Sequence, residues 1–169
     1  VGIRQKKDWQ HREEEGVLRF HYDIMDLDFT TGEWCVLART NRILTEVSED
    51  LKRQGFIFWR EGSGWSVSQD IINSIEVWVK LCKDKSVSVQ ELVAFSKKTE
   101  KDIIGHGGKK QIELLDSTRR YTLDDLLESD LGLKLNLNKS MSWWDVLNVT
   151  EQQRIYITSA LRRGESILV

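Results

Sequence analysis

Apolar and polar positions follow two different rhythms along this chain. From Glu33 to Ala38 (EWCVLA) the run is almost continuously apolar and is bounded by polar residues, the pattern of a strand buried on both faces. Ile43, Leu44, Val47 and Leu51 then recur at i, i+1, i+4 and i+8, which is helical spacing. Thr40 or Asn41 suits the start of that helix, and Gly55 suits the position just past its end. Phe56 to Trp59 (FIFW) reads as a second strand. Residues 33–59 therefore predict one βαβ unit, whose crossover requires parallel strands. Upstream, Gly16 to Asp23 (GVLRFHYD) predicts a further strand and Asp28 to Gly32 (DFTTG) a turn. Residues 1–15 are polar and charged and read as a loop or the tail of an element.

After Gly62-Ser63-Gly64 the rhythm becomes helical throughout. Ile71, Ile75, Trp78 and Cys82 share one face of a helix over 68–82, with Ile72 and Val79 beside them. Ser88 with Glu91 forms a capping box for a helix carrying Leu92, Val93 and Phe95. Gly105 to Gly108 (GHGG) reads as a flexible turn. Helices are predicted at 109–115, 123–127, 143–147 and 151–163. Ser142 with Asp145 starts the third of these and Thr150 with Gln153 the fourth, while Gly164 suits the end of the last. The predicted class is α/β followed by all-α: a partial α/β domain over 1–64, a helical domain over 65–164, and the start of a strand at 165–169.

Composition narrows the function classes. The 169 residues are 40% hydrophobic and 31% charged, enough apolar material for one ordinary domain or two small ones with a solvated surface. A net charge of −2 excludes a protein that coats DNA through its overall charge, but leaves room for a local phosphate-binding edge. Cys35 and Cys82 lie on apolar segments and read as buried free thiols. With no signal-like segment and no apolar run of about 18 residues, the expected location is cytoplasmic, with no membrane partner. Most of the seven tryptophans read as core or interface anchors.

Candidate chemistry gathers at three places. Arg39, Thr40 and Asn41 sit where the first strand meets its helix, so free helix N–H groups, hydroxyl, amide and guanidinium can meet a DNA phosphate. A structural salt bridge for Arg39, a plain N-cap role for Thr40 or Asn41, and a solvated Arg42 are the alternatives. Trp59, Arg60 and Trp65 form an aromatic-basic loop; Trp65 is the candidate for stacking on a base, and Trp59 is expected in the core. Lys97, Lys98, Lys101, Lys109 and Lys110 flank the GHGG turn as a candidate duplex-binding patch, diluted by Glu100, Asp102 and Glu113. His11, His21 and His106 have no metal-ligand spacing, and no serine sits in a nucleophile elbow. No catalytic residue and no metal site is assigned.

Residues 33–82 resemble the UvrD/Rep-type superfamily-one DNA helicases. In that family a strand of the second RecA-like motor domain ends in Arg-Ser/Thr-Asn. A helix, a glycine and a short strand follow before the chain leaves into a helical insertion. Leu37-Ala38-Arg39-Thr40-Asn41, Leu51, Gly55 and Phe56 to Trp59 follow that order, and Gln69, Asp70 and Ile71 resemble the first insertion helix. Arg162-Arg163-Gly164-Glu165 resembles the segment before the return strand. The resemblance implies a partial RecA-like βαβ unit plus a helical insertion, hinged near Gly62 to Gly64. It implies a parent enzyme of DNA repair or replication that uses ATP and Mg2+ to unwind duplex by moving on single-stranded DNA. Arg39, Thr40, Asn41, Arg42, Arg60, Trp65, Lys109 and Lys110 are the implied DNA contacts.

The departures from the family matter as much. Gly105 to Lys110 (GHGGKK) lacks the spacing and the preceding strand of a phosphate loop, and no Asp-Glu pair follows an apolar strand. Phosphoryl transfer needs a phosphate cradle, a metal ligand and a charge stabiliser together, so this segment alone is predicted not to hydrolyse ATP and to hold no cofactor. Two other readings stand beside this one: a non-catalytic α+β module that binds a protein partner through exposed tryptophans, and another DNA-processing protein with a helicase-like domain.

Overall fold

The computed structural model describes residues 19–31, 34–128 and 133–163. These residues hold seven helices and two small antiparallel sheets, so the fold is mixed α and β. They pack as two units divided within the first helix, one up to Val47 and one from Ser48 onward.

In the first unit, Ile24–Asp26 is a short 3₁₀ turn. Asp28 then organises its own turn by accepting from the Thr30 amide at 2.9 Å and from the Thr30 hydroxyl. The Trp34 indole packs 4.9 Å from the Phe29 ring and donates to the Thr31 carbonyl at 2.7 Å. Helix α1 (Asn41–Gln54) begins as expected, with the Ile43 amide 3.5 Å from the Thr40 hydroxyl. Its apolar stripe is graded: Ile43 is exposed, Leu44 and Val47 half-buried and Leu51 buried.

Two strand expectations change here. Residues 34–38 form no ladder among the described residues, and Cys35, expected to be buried, is exposed. An isolated apolar run leaves its backbone groups to water and is not a stable strand without a partner strand to pair with. Phe56 to Trp59 does not join a parallel pair either. Strand β1 (Trp59–Arg60) turns back at once and pairs antiparallel with β2 (Gly64–Trp65). Closing a three-residue loop costs far less chain entropy than a long crossover. Of the strand expected over 16–23, residues 19–23 are not in a strand, and 16–18 lie outside the described residues together with 1–15 and the return strand at 165–169.

The second unit is built around helix α2 (Gln69–Cys82). Ile71, Ile72, Ile75, Val77, Trp78 and Leu81 are all buried, so the helix is covered on more than the one face its spacing suggested. Helix α3 (Val89–Lys98) packs along it, with the Trp78 and Phe95 rings stacked at 6.4 Å and 7°. The Trp78 N–H, otherwise buried without water, reaches the Met141 carbonyl at 3.1 Å. The region is not purely helical: β3 (Val87–Ser88) pairs antiparallel with β4 (Arg120–Tyr121). Strands of two residues carry no readable alternation, which is why the pattern hid them.

Helices α4 (Gly108–Glu113), α5 (Leu123–Leu127), α6 (Trp143–Val146) and α7 (Glu151–Arg162) fall within a residue or two of their expected spans. The capping boxes at Ser88, Ser142 and Thr150 are formed, and an unforeseen one joins Thr122 to Asp125. Helix α7 closes the unit by lying against the residues that follow α1. A Cβ on Gly55 would sit 2.8 Å from the Ser159 carbonyl carbon, and Gly55 has φ +80°. Only glycine satisfies both the left-handed conformation and the contact.

Candidate nucleic-acid interface

Arg39 and Thr40 immediately precede α1, and Asn41 is its first residue. Thr40 caps the helix through its hydroxyl, and its carbonyl accepts from the Leu44 amide at 3.3 Å. The Asn41 carbonyl takes the Thr45 hydroxyl at 2.9 Å. Arg39 is exposed and makes no ion pair among the described residues, so its guanidinium is presented to solvent next to the helix start. Arg42 lies along the helix surface and pairs with Glu46 at 3.2 Å; both side chains are mostly in water, so the pair adds little stability.

Arg60 and Trp65 stand on the β1–β2 hairpin, Arg60 half-buried and Trp65 57% exposed. The hairpin corrects the place given to Trp59. That residue is 58% exposed rather than in the core, and it lies directly opposite Trp65 in the ladder. Sequence reasoning missed the pairing because it took residues 56–59 as one straight strand. The cue was present in the Gly62-Ser63-Gly64 turn between two tryptophans.

Lys109 and Lys110 are exposed on α4 just after the GHGG turn. The turn was expected to be flexible, and it is packed instead. The Gly105 amide donates to the Lys134 carbonyl at 2.8 Å, the Asn136 amide donates to the Ile103 carbonyl at 2.8 Å, and Ile104 bridges Leu135. A Cβ on Gly105 would lie 2.8 Å from the Lys134 Cβ. This approach adds Lys134, which sequence spacing could not place, to the turn that carries His106 and leads into Lys109 and Lys110. All four side chains are exposed. Lys98, expected in the same patch, is engaged elsewhere and pairs with Asp70 at 3.1 Å.

Arg39 to Arg42 belong to the first unit, while Arg60, Trp65, Lys109 and Lys110 belong to the second. Within the second unit the hairpin and α4 are separate elements. The turn before α4 does not fit a nucleotide phosphate: it follows an isolated bridge rather than a strand end, and the helix after it spans six residues. Among the described residues, no group of three or more His, Cys, Asp or Glu side chains converges as a metal ligand set. No described helix is long and apolar enough to cross a membrane.

The strongest electrostatic feature is structural. Burial by itself pushes the Glu91 carboxyl up. Hydrogen bonds from Lys80 Nζ (2.8 Å) and from the Ser88 amide and hydroxyl (2.8 and 2.9 Å) outweigh that and hold it at about 2. Arg120 approaches the same carboxylate at 3.5 Å, so Glu91 ties α2, α3 and β4 together. Lys139 plays a similar part at another corner, meeting Asp84 at 2.6 Å and Asp124 at 3.1 Å.

Compared with known proteins, the chain matches no family model, no curated protein and no solved structure.

Proposed function

We propose that this chain is a segment of a UvrD/Rep-type superfamily-one DNA helicase: part of the second RecA-like domain together with its helical insertion. The observation that carries the reading is the contact of Gly55 with Ser159 and Ala160. An inserted domain must leave its host and return to it at nearly the same point, and here Gly55, near the start of the second unit, lies against α7, the last described helix of the same unit. The apolar run 34–38 adds support. Leu37 is 89% exposed, as expected of a strand whose sheet neighbours belong to other parts of a parent protein.

In this reading Arg39, Thr40, Asn41 and Arg42 face the DNA backbone from the motor side. Lys109 and Lys110, joined by Lys134, contact duplex phosphates, and Arg60 and Trp65 contribute from the hairpin. ATP and Mg2+ are held by the parent outside this segment, which is inactive toward ATP alone. The parent is a cytoplasmic enzyme of DNA repair or replication. The test is the parent enzyme carrying Arg39→Ala, with DNA-stimulated ATPase and duplex unwinding as readouts. Both should fall. Unchanged rates would remove Arg39 from the DNA path, and a parent without DNA-stimulated ATPase would end the helicase reading.

The exposed indoles of Trp59 and Trp65 favour a second reading, a non-catalytic α+β module that docks a protein partner. It requires that the chain bind no DNA.

A further inference from the structure

We infer that residues 54–66 hold no hinge and are clasped to helix α7, so that the β1–β2 hairpin and the last described helix move as one body. The inference is independent of what the chain binds. In place of the hinge expected near Gly62 to Gly64 it puts a clasp made by Tyr156, Ser66 and Arg163. All of these residues belong to the second unit.

The centre of the clasp is a directed chain of hydrogen bonds. The Tyr156 hydroxyl has one proton and donates it to the Phe56 carbonyl at 2.6 Å. In its 2.6 Å contact with Ser66 it therefore accepts, and the Ser66 hydroxyl donates. The Ser66 oxygen in turn accepts from the Phe58 amide at 3.0 Å. The chain starts on the Phe58 backbone, passes through the hairpin and α7, and ends on the Phe56 backbone. Bonds linked head to tail in this way polarise one another. Phe56 and Tyr156 are buried, where an unmade bond costs most.

Two further contacts lie on the same face of α7. Tyr156, Ser159, Ala160 and Arg163 recur at i, i+3, i+4 and i+7. Ser159 and Ala160 close on Gly55 and leave no room for a Cβ. Arg163 continues the helical conformation at the C-cap of α7. Its Nη1 donates to the Gln54 carbonyl at 3.3 Å, and its guanidinium lies 3.9 Å over the Phe56 ring. Gln54 ends α1, so Arg163 meets one of the carbonyls that a helix leaves open at its end. One helix face thus grips Gln54, Gly55 and Phe56 in succession.

The glycines expected to flex are committed to a turn. Gly62 and Gly64 both hold φ +79°, a conformation that glycine adopts at little cost. Gly64 pairs with Arg60 in the ladder, and the Ser63 amide donates to the Arg60 carbonyl at 3.1 Å. A lone hairpin is marginal in water at best, and these strands have two residues each. Its order comes from its attachment, and the hairpin opens only when the Ser66–Tyr156 contact breaks. The positions of Trp59, Arg60 and Trp65 therefore follow α7.

The test is hydrogen exchange of the whole chain read by mass spectrometry, with trypsin cleavage after Arg60 as a second measure. The variants are Tyr156→Phe, Ser66→Ala and Arg163→Gln. In the wild type, peptides covering 55–66 should be protected together with those of α7. Tyr156→Phe and Ser66→Ala should each speed exchange over 55–66, and cleavage after Arg60, by about tenfold, as expected for the loss of one buried hydrogen bond. Helices α2 and α3 should keep their protection. Arg163→Gln should loosen 54–56 and leave 58–66 protected. Ser66→Ala leaves the buried tyrosine in place, so it carries the test if Tyr156→Phe does not fold. Free exchange over 58–66 in the wild type would restore the flexible hinge and overturn the clasp. Equal loosening of the hairpin, α2 and α3 in Ser66→Ala would reduce the contact to general stability and overturn it as well.

Discussion

The Tyr156 hydroxyl donates to the Phe56 carbonyl at 2.6 Å across a separation of 100 residues. One side chain thereby joins the last described helix to the segment after the first and, through Ser66, to the tryptophan hairpin. Tyr156→Phe removes both contacts and keeps the ring. It should cost about 1–2 kcal/mol in chemical denaturation, the range for a buried hydrogen bond. A loss below about 0.3 kcal/mol would show that the contact is not part of what stabilises the unit.

Gly55→Ala should be the more damaging change at the same junction. It places a Cβ 2.8 Å from the Ser159 backbone at φ +80°. The left-handed conformation alone costs about 1–2 kcal/mol, and the clash adds to it. A drop of more than about 2 kcal/mol in unfolding free energy is expected, and a variant as stable as the wild type would refute the close packing of α7.

Glu91 sets an acid limit on stability. Its carboxyl is held at about 2 in the fold, against an ordinary value of 4.5. A depressed carboxylate contributes stability that is fully present above its unfolded value and is lost as pH falls through the folded one. Stability should therefore decline as pH drops below about 4.5 and continue to decline toward about 2. In Glu91→Gln this part of the pH dependence should flatten. A variant that retains the wild-type acid profile would assign the transition to other carboxylates.

The two thiols should label at different rates. Cys35 is exposed, and Cys82 is half-buried. Burial pushes the Cys82 thiol up, Lys139 opposes that, and Asp84 reinforces it, so less reactive thiolate is present near neutral pH. Iodoacetamide should modify Cys35 well before Cys82, as peptide mapping over time would reveal. Equal rates in the isolated chain would contradict the burial of Cys82.

The helices were legible in the sequence because their determinants are local. The Ser88–Glu91 and Thr150–Gln153 boxes, the spacing of Ile71, Ile75 and Trp78, and Gly55 past Gln54 all act within a few residues, and each stands where expected. The Thr40-Asn41 helix start was legible for the same reason, and so were the exposed Lys109 and Lys110.

Strand partners were not legible, because pairing joins residues whose closeness no local pattern records. The run 34–38 has the composition of a buried strand and no ladder among the described residues, while Val87 with Tyr121 and Trp59 with Trp65 pair on two residues each. Lys134 reaches the Gly105 turn, and Tyr156 reaches Phe56, only because the chain folds back. Helix ends and apolar faces can be read along the chain, since capping and periodicity are short-range. Which tryptophans stay in water and which lysines share a turn follows from how distant segments cover one another, and no local pattern records that.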